Sequence, residues 1–286
     1  ALLERAYWIE KTPFLAHRLE LALPTKGCLP KLYYGLGLGL YDALSGDKNI
    51  GRSRLLNKSQ LNEVLPFLKE ELNGGVVYSD GQFNDSRLNL LLALTAEKNG
   101  AILRTRCKLV ELKFQKGGKI CGAISESMIT GQERWTANAV VNATGIHADS
   151  IRQLADPNIT PKLLTSRGIH LVLKENLCPN GTGVILPATD DGRVLFLLPF
   201  FGHTQVGTTD TPCNIKEANS PSKQETEYLI NYVRRWFPTI GEPTIQSQWA
   251  GGRPLLKQST KEVSSSRLVR EHEVETLPCG LISAMG

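Results

Sequence analysis

The sequence predicts an α/β protein in which an α/β unit is followed by a second domain built on an antiparallel sheet. A strand, a helix and further strands follow one another from Gly75 to Asn142, which is typical of a layered α/β unit. After Asp156-Pro157 the chain becomes rich in short strands joined by tight turns, which favours antiparallel pairing.

Composition limits the class of protein. The chain has 286 residues, 41% of them hydrophobic, which is enough for one large domain or two smaller ones. A net charge of +5 indicates a solvated surface, with an anionic substrate or an acidic membrane surface as alternatives. The longest apolar run is eight residues, too short to span a membrane. Six scattered cysteines without a C-x-x-C pair predict reduced thiols and an intracellular compartment.

Several kinds of site find no support. The sequence contains no H-E-x-x-H, G-x-S-x-G or P-loop motif. Its five histidines lack metal-ligand spacing, so no metal is expected. It has no basic patch interleaved with aromatic residues, so nucleic acid is not an expected partner.

The first part of the chain predicts helices. Apolar residues recur at helical spacing from Ala1 to about Ala22, with a break or kink at Pro13. A second helix is predicted over residues 31–44, where three glycines suggest close packing. A short third helix follows, with Ser59 as its cap.

The α/β unit begins at Gly75 with a strand and a turn. Asp85 is predicted to cap a helix that stops at Gly100, and several strands follow. A buried strand over residues 139–141 then ends at the turn Ala143-Thr144-Gly145 and leads into a helix. Such turns bind nucleotide phosphates, because free N–H groups and the helix dipole favour an anion. Yet the sequence has no G-x-G-x-x-G.

The second domain is predicted from four strand-like stretches, "RGIHLVL", "TGVILPA", "GRVLFLLPFFG" and "HTQVGTTDT". One amphipathic helix interrupts them. Ser222 and Glu225 form its capping box and Pro238 closes it.

Three short stretches carry candidate chemistry. "VGTTDTP" (206–212) ends a strand in three hydroxyls and a carboxylate, or is a plain polar turn. "WAGGRPLL" (249–256) places Arg253 at a strand end, as an oxyanion or phosphate clamp or as half of a structural ion pair. "SRGIHLVL" places His170 on a strand, where a core histidine is the default.

Seven stretches in order carry a resemblance. "YSDGQFNDSRLNLLLALTAEKNGA", "VVNATG", "SRGIHLVL", "DGRVLFLLPF", "VGTTDTP", "GGRPLL" and "GLISAMG" closely resemble the FAD-dependent glycerol-3-phosphate dehydrogenases, including the mitochondrial type, over essentially the whole chain.

The resemblance implies a glutathione-reductase-like FAD-binding fold interleaved with a substrate domain on an antiparallel sheet. The expected division is a helical segment packed on the substrate domain (1–64), FAD-binding domain (65–156), substrate domain (157–265) and a return to the FAD-binding domain (266–286). It also implies oxidation of sn-glycerol 3-phosphate to dihydroxyacetone phosphate, with FAD passing electrons to a quinone. Relatives of this type are peripheral on a membrane, so a cytoplasmic or peripheral location is expected, not secretion.

Site residues follow from the same resemblance. Arg253 matches a phosphate-binding arginine with a catalytic role, and Arg270 matches a second substrate-binding arginine. His170 matches the family histidine and is the candidate base, because a neutral imidazole suits removal of the C2 hydroxyl proton.

Thr208 and Thr209 match positions that hydrogen-bond substrate or flavin, with Thr209 taken as catalytic. Asp210 is expected to orient this turn or to contact substrate. The residues expected at the FAD are Cys107, Lys108, Ala143, Thr144, Gly145 and Gly286.

The absent G-x-G-x-x-G predicts a central fragment, because the first βαβ unit of the family needs about 30 residues that are not in this sequence. The isolated chain is accordingly expected neither to bind FAD tightly nor to be active. Two alternatives remain open: a glycerol-3-phosphate oxidase that uses oxygen, and a non-catalytic remnant that binds a phosphorylated ligand or a partner.

Overall fold

A computed structural model describes residues 2–45, 49–186, 189–257 and 272–286. Its helices are α1 (Leu2–Lys11), α2 (Cys28–Ser45), α3 (Lys58–Val64), α4 (Asp85–Lys98), α5 (Ala148–Ala155) and α6 (Lys223–Trp236). Its strands are β1 (Ala16–Thr25), β2 (Arg54–Asn57), β3 (Gly74–Phe83), β4 (Cys107–Phe114), β5 (Ile120–Ser127), β6 (Gly131–Thr136), β7 (Val140–Asn142), β8 (Leu163–Leu173), β9 (Gly183–Leu186), β10 (Leu195–Phe200), β11 (His203–Gly207), β12 (Thr211–Pro212), β13 (Ile245–Leu256), β14 (Glu273–Thr276) and β15 (Leu281–Met285). The predicted α/β class is confirmed.

The chain divides into two compact units. The first unit consists of Ala1–Gly100, Ile169–Thr209 and Pro221–Trp249. The second unit consists of Ala101–Gly168, Asp210–Ser220 and Ala250–Gly286. Each unit is therefore assembled from three separate segments of sequence.

A large sheet forms the centre of the first unit. Seven of its nine strands follow in the order β8, β11, β10, β9, β1, β3 and β2, and β12 and β13 also pair with β8. The strands from β8 to β11 pair antiparallel, as predicted. β1 adds a parallel pairing with β9 and an antiparallel one with β3, so the sheet is mixed. Leu19, Leu21 and Ile185 are buried together on it and form part of the core.

The helix predicted from Ala1 to about Ala22 is wrong in its second half. α1 ends at Lys11, and residues 16–25 form β1. Pro13 cannot continue the helix, and beyond it Leu19, Leu21 and Leu23 are buried at a spacing of two. The period of a strand therefore replaces the period of a helix at this proline.

Two predicted helix caps are displaced toward the N-terminus. Asn57, not Ser59, caps α3 by accepting from the Gln60 N–H. Asn84, not Asp85, caps α4 by accepting from the Arg87 N–H. In each case asparagine is the residue with extended backbone, which a cap requires. The capping box of Ser222 and Glu225 on α6 is confirmed.

The glycines of α2 have different surroundings. A Cβ built at Gly35 would lie 2.8 Å from Leu55 Cδ2, so the predicted close packing is confirmed there. Gly37 and Gly39 face open space. Among the described residues no helix is long and apolar enough to cross a bilayer.

The second unit contains two three-stranded sheets. β4, β5 and β6 pair antiparallel, while β15 lies between β14 and β7 and pairs with β7 in parallel. Leu112, Ile120, Leu277 and Leu281 are buried together in the core of this unit. The expectation that residues 139–141 form a buried strand is wrong in burial, because Ala139 is exposed, Val140 is half-buried and Val141 is 62% exposed. The strand itself is β7, which begins one residue later than expected, at Val140.

Candidate active site

The His170 ring packs against two neighbours within the first unit. It lies on β8 opposite Gly207 of β11. A Cβ built at Gly207 would lie 2.3 Å from His170 Cδ2, so the imidazole lies over the glycine. The Trp249 indole stacks on the imidazole, with ring centroids 5.5 Å apart and planes 18° apart. The side chain is thereby restricted to a narrow range of positions.

Two cavities of the first unit meet at His170. The larger has a volume of about 1200 Å³, and His170 and Trp249 line it together with Phe14, Phe83 and Phe200. The smaller, of about 90 Å³, is lined by His170, Gly207 and Thr208 among others. His170 therefore faces space that a ligand can enter, in addition to its core contacts. This favours the functional interpretation of this histidine over that of a core residue.

The two threonines of the "TTD" turn have different surroundings. Thr208 lines the smaller cavity beside His170 and donates to the Thr209 carbonyl, 3.3 Å away. Thr209 is 1% exposed. Its hydroxyl accepts from the Ile169 N–H at 3.0 Å and donates to Glu225 Oε1 at 2.9 Å. This geometry favours a supporting role for Thr209 over a contact with substrate.

Arg253 is seated over a glycine in the second unit. A Cβ built at Gly168 would lie 2.2 Å from Arg253 Nη2. Arg253 Nη1 lies 3.7 Å from Asp210 Oδ1, and the arginine side chain is 26% exposed. Asp210 in turn accepts a hydrogen bond from the Ser166 hydroxyl. The carboxylate thus neighbours the guanidinium while Ser166 orients it.

The predicted position of Arg253 at a strand end is wrong, because β13 continues to Leu256. Pro254 does not stop the strand, since a proline is tolerated where its missing N–H is not needed in the ladder. Gly252 is packed closely, with its built Cβ 2.9 Å from Ala218 Cβ. A strand interior holds the arginine more firmly than a loop would.

The turn Ala143-Thr144-Gly145 lies at the carboxyl end of β7. Thr144 Oγ1 donates to Asn142 Oδ1 at 2.7 Å, which orders the turn. Gly145 has φ +58°, and no atom lies within 4 Å of its built Cβ. Because β15 is parallel to β7 with Ser283 opposite Asn142, Gly286 extends beyond the same edge of the sheet.

This edge fits the phosphate-bearing part of a dinucleotide. In open α/β sheets such ligands bind outside the carboxyl ends of parallel strands. A small-residue turn with open space beside it allows the close backbone approach that a pyrophosphate requires. Cys107 and Lys108 lie instead at the start of β4, in the antiparallel sheet. Arg270 lies outside the described residues.

A buried ionic network stabilises the second unit. Arg152 is 1% exposed and donates to Asp149, Glu275 and the Thr160 carbonyl. Burial acts to raise the pKa of Asp149, but hydrogen bonds from the Leu163 and Lys162 N–H groups and from Arg152 outweigh it and lower that pKa. Burial likewise acts to raise the pKa of Glu275, but hydrogen bonds from Lys162 and Arg152 outweigh it and lower that pKa.

Sequence reasoning missed four supporting residues. Gly168, Gly207 and Trp249 all lie inside the quoted stretches, but no local pattern shows which side chain each of them contacts. Glu225 was recognised for its capping box alone. Its bond to Thr209 joins residues 16 apart, which only the fold brings together.

Comparison with known proteins identifies the protein family to which the chain belongs. The family described as FAD dependent oxidoreductase matches residues 17–286, and the chain belongs to this family. FAD is the cofactor that defines it.

The curated relatives narrow the comparison. The chain is 36% identical over 302 residues to the probable mitochondrial glycerol-3-phosphate dehydrogenase of Dictyostelium discoideum, covering 100% of this chain and 47% of the relative. It is also 36% identical over 296 residues to the mitochondrial glycerol-3-phosphate dehydrogenase of Homo sapiens, with 100% and 41% covered. The chain therefore spans less than half the length of these relatives.

Solved structures agree on the fold. The glycerol-3-phosphate dehydrogenase of Bacillus halodurans, complexed with FAD, superposes with a TM-score of 0.76 at 27% identity over 98% of this chain and 50% of that one. The L-α-glycerophosphate oxidase of Mycoplasma pneumoniae gives 0.68 at 18% identity, over 90% and 68%, which shows a shared fold.

Proposed function

We propose that the complete protein containing this chain oxidises sn-glycerol 3-phosphate to dihydroxyacetone phosphate, with FAD as oxidant and a quinone as electron acceptor. The observation that carries the proposal is the half-buried Arg253 guanidinium seated over Gly168. The names of the relatives that are 36% identical support the same substrate.

A phosphate dianion is the natural ligand of this arginine. A guanidinium presents paired N–H donors that match phosphate oxygens, and partial burial strengthens the attraction. Asp210 at 3.7 Å supplies a counter-charge in the absence of substrate. A bound phosphate dianion neutralises the guanidinium instead, with two negative charges where the carboxylate has one. Arg270 is proposed as a second phosphate contact on the strength of the resemblance alone.

His170 is proposed as the base. Oxidation of the C2 hydroxyl removes its proton and transfers the C2 hydrogen with two electrons, for which bound FAD supplies the acceptor. The proton passes to a ring nitrogen of His170, which must be neutral to receive it. Gly207 and Trp249 fix the ring plane, so the accepting nitrogen keeps its direction. Thr208 contributes a hydroxyl to the same small cavity.

Ala143, Thr144 and Gly145 are proposed to hold the phosphate-bearing part of FAD, with Gly286 beside the flavin. The open turn at the carboxyl end of β7 supports this placement. Cys107 and Lys108 are proposed to recognise the adenine through their backbone groups, at the start of β4.

A peripheral membrane contact is proposed for α2. Five large exposed residues of this helix are spaced three or four positions apart and so lie on one face of it: Leu29, Leu32, Tyr33, Leu36 and Leu40. An amphipathic helix of this kind can lie in the interface of a bilayer, where a quinone is dissolved. The opposite side of the helix packs on the sheet through Gly35.

The proposal is tested with the complete protein loaded with FAD. We expect reduction of a quinone analogue with glycerol 3-phosphate and none with glycerol, which lacks the phosphate. Oxygen consumption at the same rate without a quinone would indicate an oxidase. Binding of the phosphorylated compound without any reduction of FAD would indicate a non-catalytic protein and would overturn the proposal.

A further inference from the structure

Glu225 carries more interactions than its place at the start of a helix requires. Its Oε2 accepts from the Ser222 backbone N–H at 3.4 Å, which completes the capping box, and also from the Ser222 hydroxyl at 2.8 Å. Two other capping boxes, Asn57 with Gln60 and Asn214 with Glu217, use a third residue that is exposed. Glu225 is only 6% exposed, and capping alone does not explain the burial of a carboxylate.

The second carboxylate oxygen of Glu225 points to a different role. Oε1 accepts from the Thr209 hydroxyl, and the same hydroxyl accepts from the Ile169 N–H. A hydroxyl has one proton to donate, so the direction of both bonds is fixed once Glu225 is ionised. All three groups are buried, and bonds to a charged acceptor in such surroundings are the strong ones.

This chain of bonds ends next to His170. The pairing of β11 with β8 ends with Gly207 opposite His170, and Thr208–Asp210 are outside strand pairing. The Thr209 side chain therefore contacts the backbone of β8 at Ile169, the residue before His170. The backbone position of residues 169 and 170 sets where the imidazole lies between Gly207 and Trp249.

We infer that Glu225, acting through Thr209, is a positioning residue for His170. This inference rests on the proposed role of His170 as base. It places Thr209 in support of the base and not in contact with substrate. The Glu225 carboxylate at the start of α6 accepts from the Thr209 hydroxyl and so orients it. That hydroxyl holds the backbone of β8 at Ile169, and β8 in turn sets the position of the imidazole.

The test uses the complete FAD-loaded protein, four single variants and the double variant that combines Thr209→Val with Glu225→Ala. Thr209→Val removes the hydroxyl at nearly constant shape, Thr209→Ser keeps it, and Glu225→Ala removes its acceptor. Ser222→Ala is the control, because it disrupts the cap but leaves the bond from Thr209 to Glu225 intact. We expect Thr209→Val and Glu225→Ala each to lower kcat about 10- to 100-fold with KM nearly unchanged. Thr209→Ser is expected to restore kcat, and the double variant to lose no more than either single one.

A second readout does not depend on turnover. In protein labelled with ¹³C-histidine, the His170 signal is identified by its loss in His170→Gln. Thr209→Val and Glu225→Ala are expected to shift this signal and its titration midpoint, while Ser222→Ala leaves both in place. If the protein does not oxidise glycerol 3-phosphate, the proposed function is refuted. The effect of the variants on the histidine signal then remains as the test of the positioning role. An unchanged signal in both variants, or a raised KM with normal kcat, would overturn the inference.

Discussion

The Arg253 guanidinium lies where a side chain at position 168 would be: a Cβ built at Gly168 would lie 2.2 Å from Nη2 of the arginine. Gly207 and His170 stand in the same relation, at 2.3 Å from Cδ2. Real Cβ atoms do not approach other atoms so closely, so any larger residue displaces the functional side chain. Two candidate site residues thus depend on neighbours that have no side chain.

Gly168→Ala is expected to displace the Arg253 guanidinium and to raise KM for glycerol 3-phosphate about tenfold or more, since a misplaced bidentate contact loses most of its strength. The measurement is steady-state kinetics with a dye acceptor. Gly251→Ala is the matched control on β13, because nothing lies within 4 Å of its built Cβ. Equal effects of the two substitutions would show that the Gly168 contact is irrelevant.

Gly207→Ala is expected to lower kcat about 10- to 100-fold while changing KM little, because it moves the base and not the phosphate contact. Gly37→Ala places the same methyl group in open space on α2 and serves as control. A Gly207→Ala enzyme with the turnover of the control would argue against His170 as the base.

Much of this fold can be predicted from local pattern. The strand that bears His170, the capping box on α6 and the turn after β7 all follow from residues close in sequence. β1 does not follow from the period of 3.6, because apolar residues on both sides of Pro13, such as Ile9 and Leu15, fit a helix, and Leu19, Leu21 and Leu23 alternate only beyond them.

The supporting contacts of the site could not be predicted in this way. Trp249 meets His170 and Thr209 meets Glu225 through pairings of distant strands and helices. Arg253 with Gly168 is a contact across 85 positions of sequence, for which periodicity contains no information. Trp249 and Glu225 lie outside the stretches that carry the resemblance, and a motif that contains Gly168 or Thr209 does not show which side chain that residue contacts.

The ionic network predicts how stability depends on pH. The pKa values of Asp149 and Glu275 are lowered from ordinary values of 3.8 and 4.5. Their stabilising effect is therefore fully present above about pH 5 and is lost as the pH falls through the lower folded values. Urea unfolding between pH 7 and pH 3 checks this.

Arg152→Met tests the same network at one residue. Removing this buried cation leaves two half-buried carboxylates without the partner that they share, so a loss of about 3 kcal/mol in the free energy of unfolding at pH 7 is expected. The loss should shrink toward pH 3, where the carboxylates bind protons. A loss of the same size at both pH values would contradict an ionic role.

Leu36→Glu is expected to weaken binding to vesicles of phosphatidylcholine and phosphatidylglycerol about tenfold, because it places a charge on the apolar face of α2. Flotation of the complete protein with vesicles measures this. Leu90→Glu is the control, since Leu90 is 58% exposed on a different helix, α4. Equal binding of wild type and Leu36→Glu would exclude α2 as the membrane contact.

The central claim, that Arg253 binds the phosphate of the substrate, is tested most directly by Arg253→Ala in the complete FAD-loaded protein. Truncating one partner of such a charged contact costs about 2–5 kcal/mol, so kcat/KM for glycerol 3-phosphate should fall about 100-fold or more, chiefly through KM. Arg253→Lys, which keeps the charge but not the paired donors, should recover part of the loss. A loss confined to turnover, with unchanged affinity for glycerol 3-phosphate, would contradict the account.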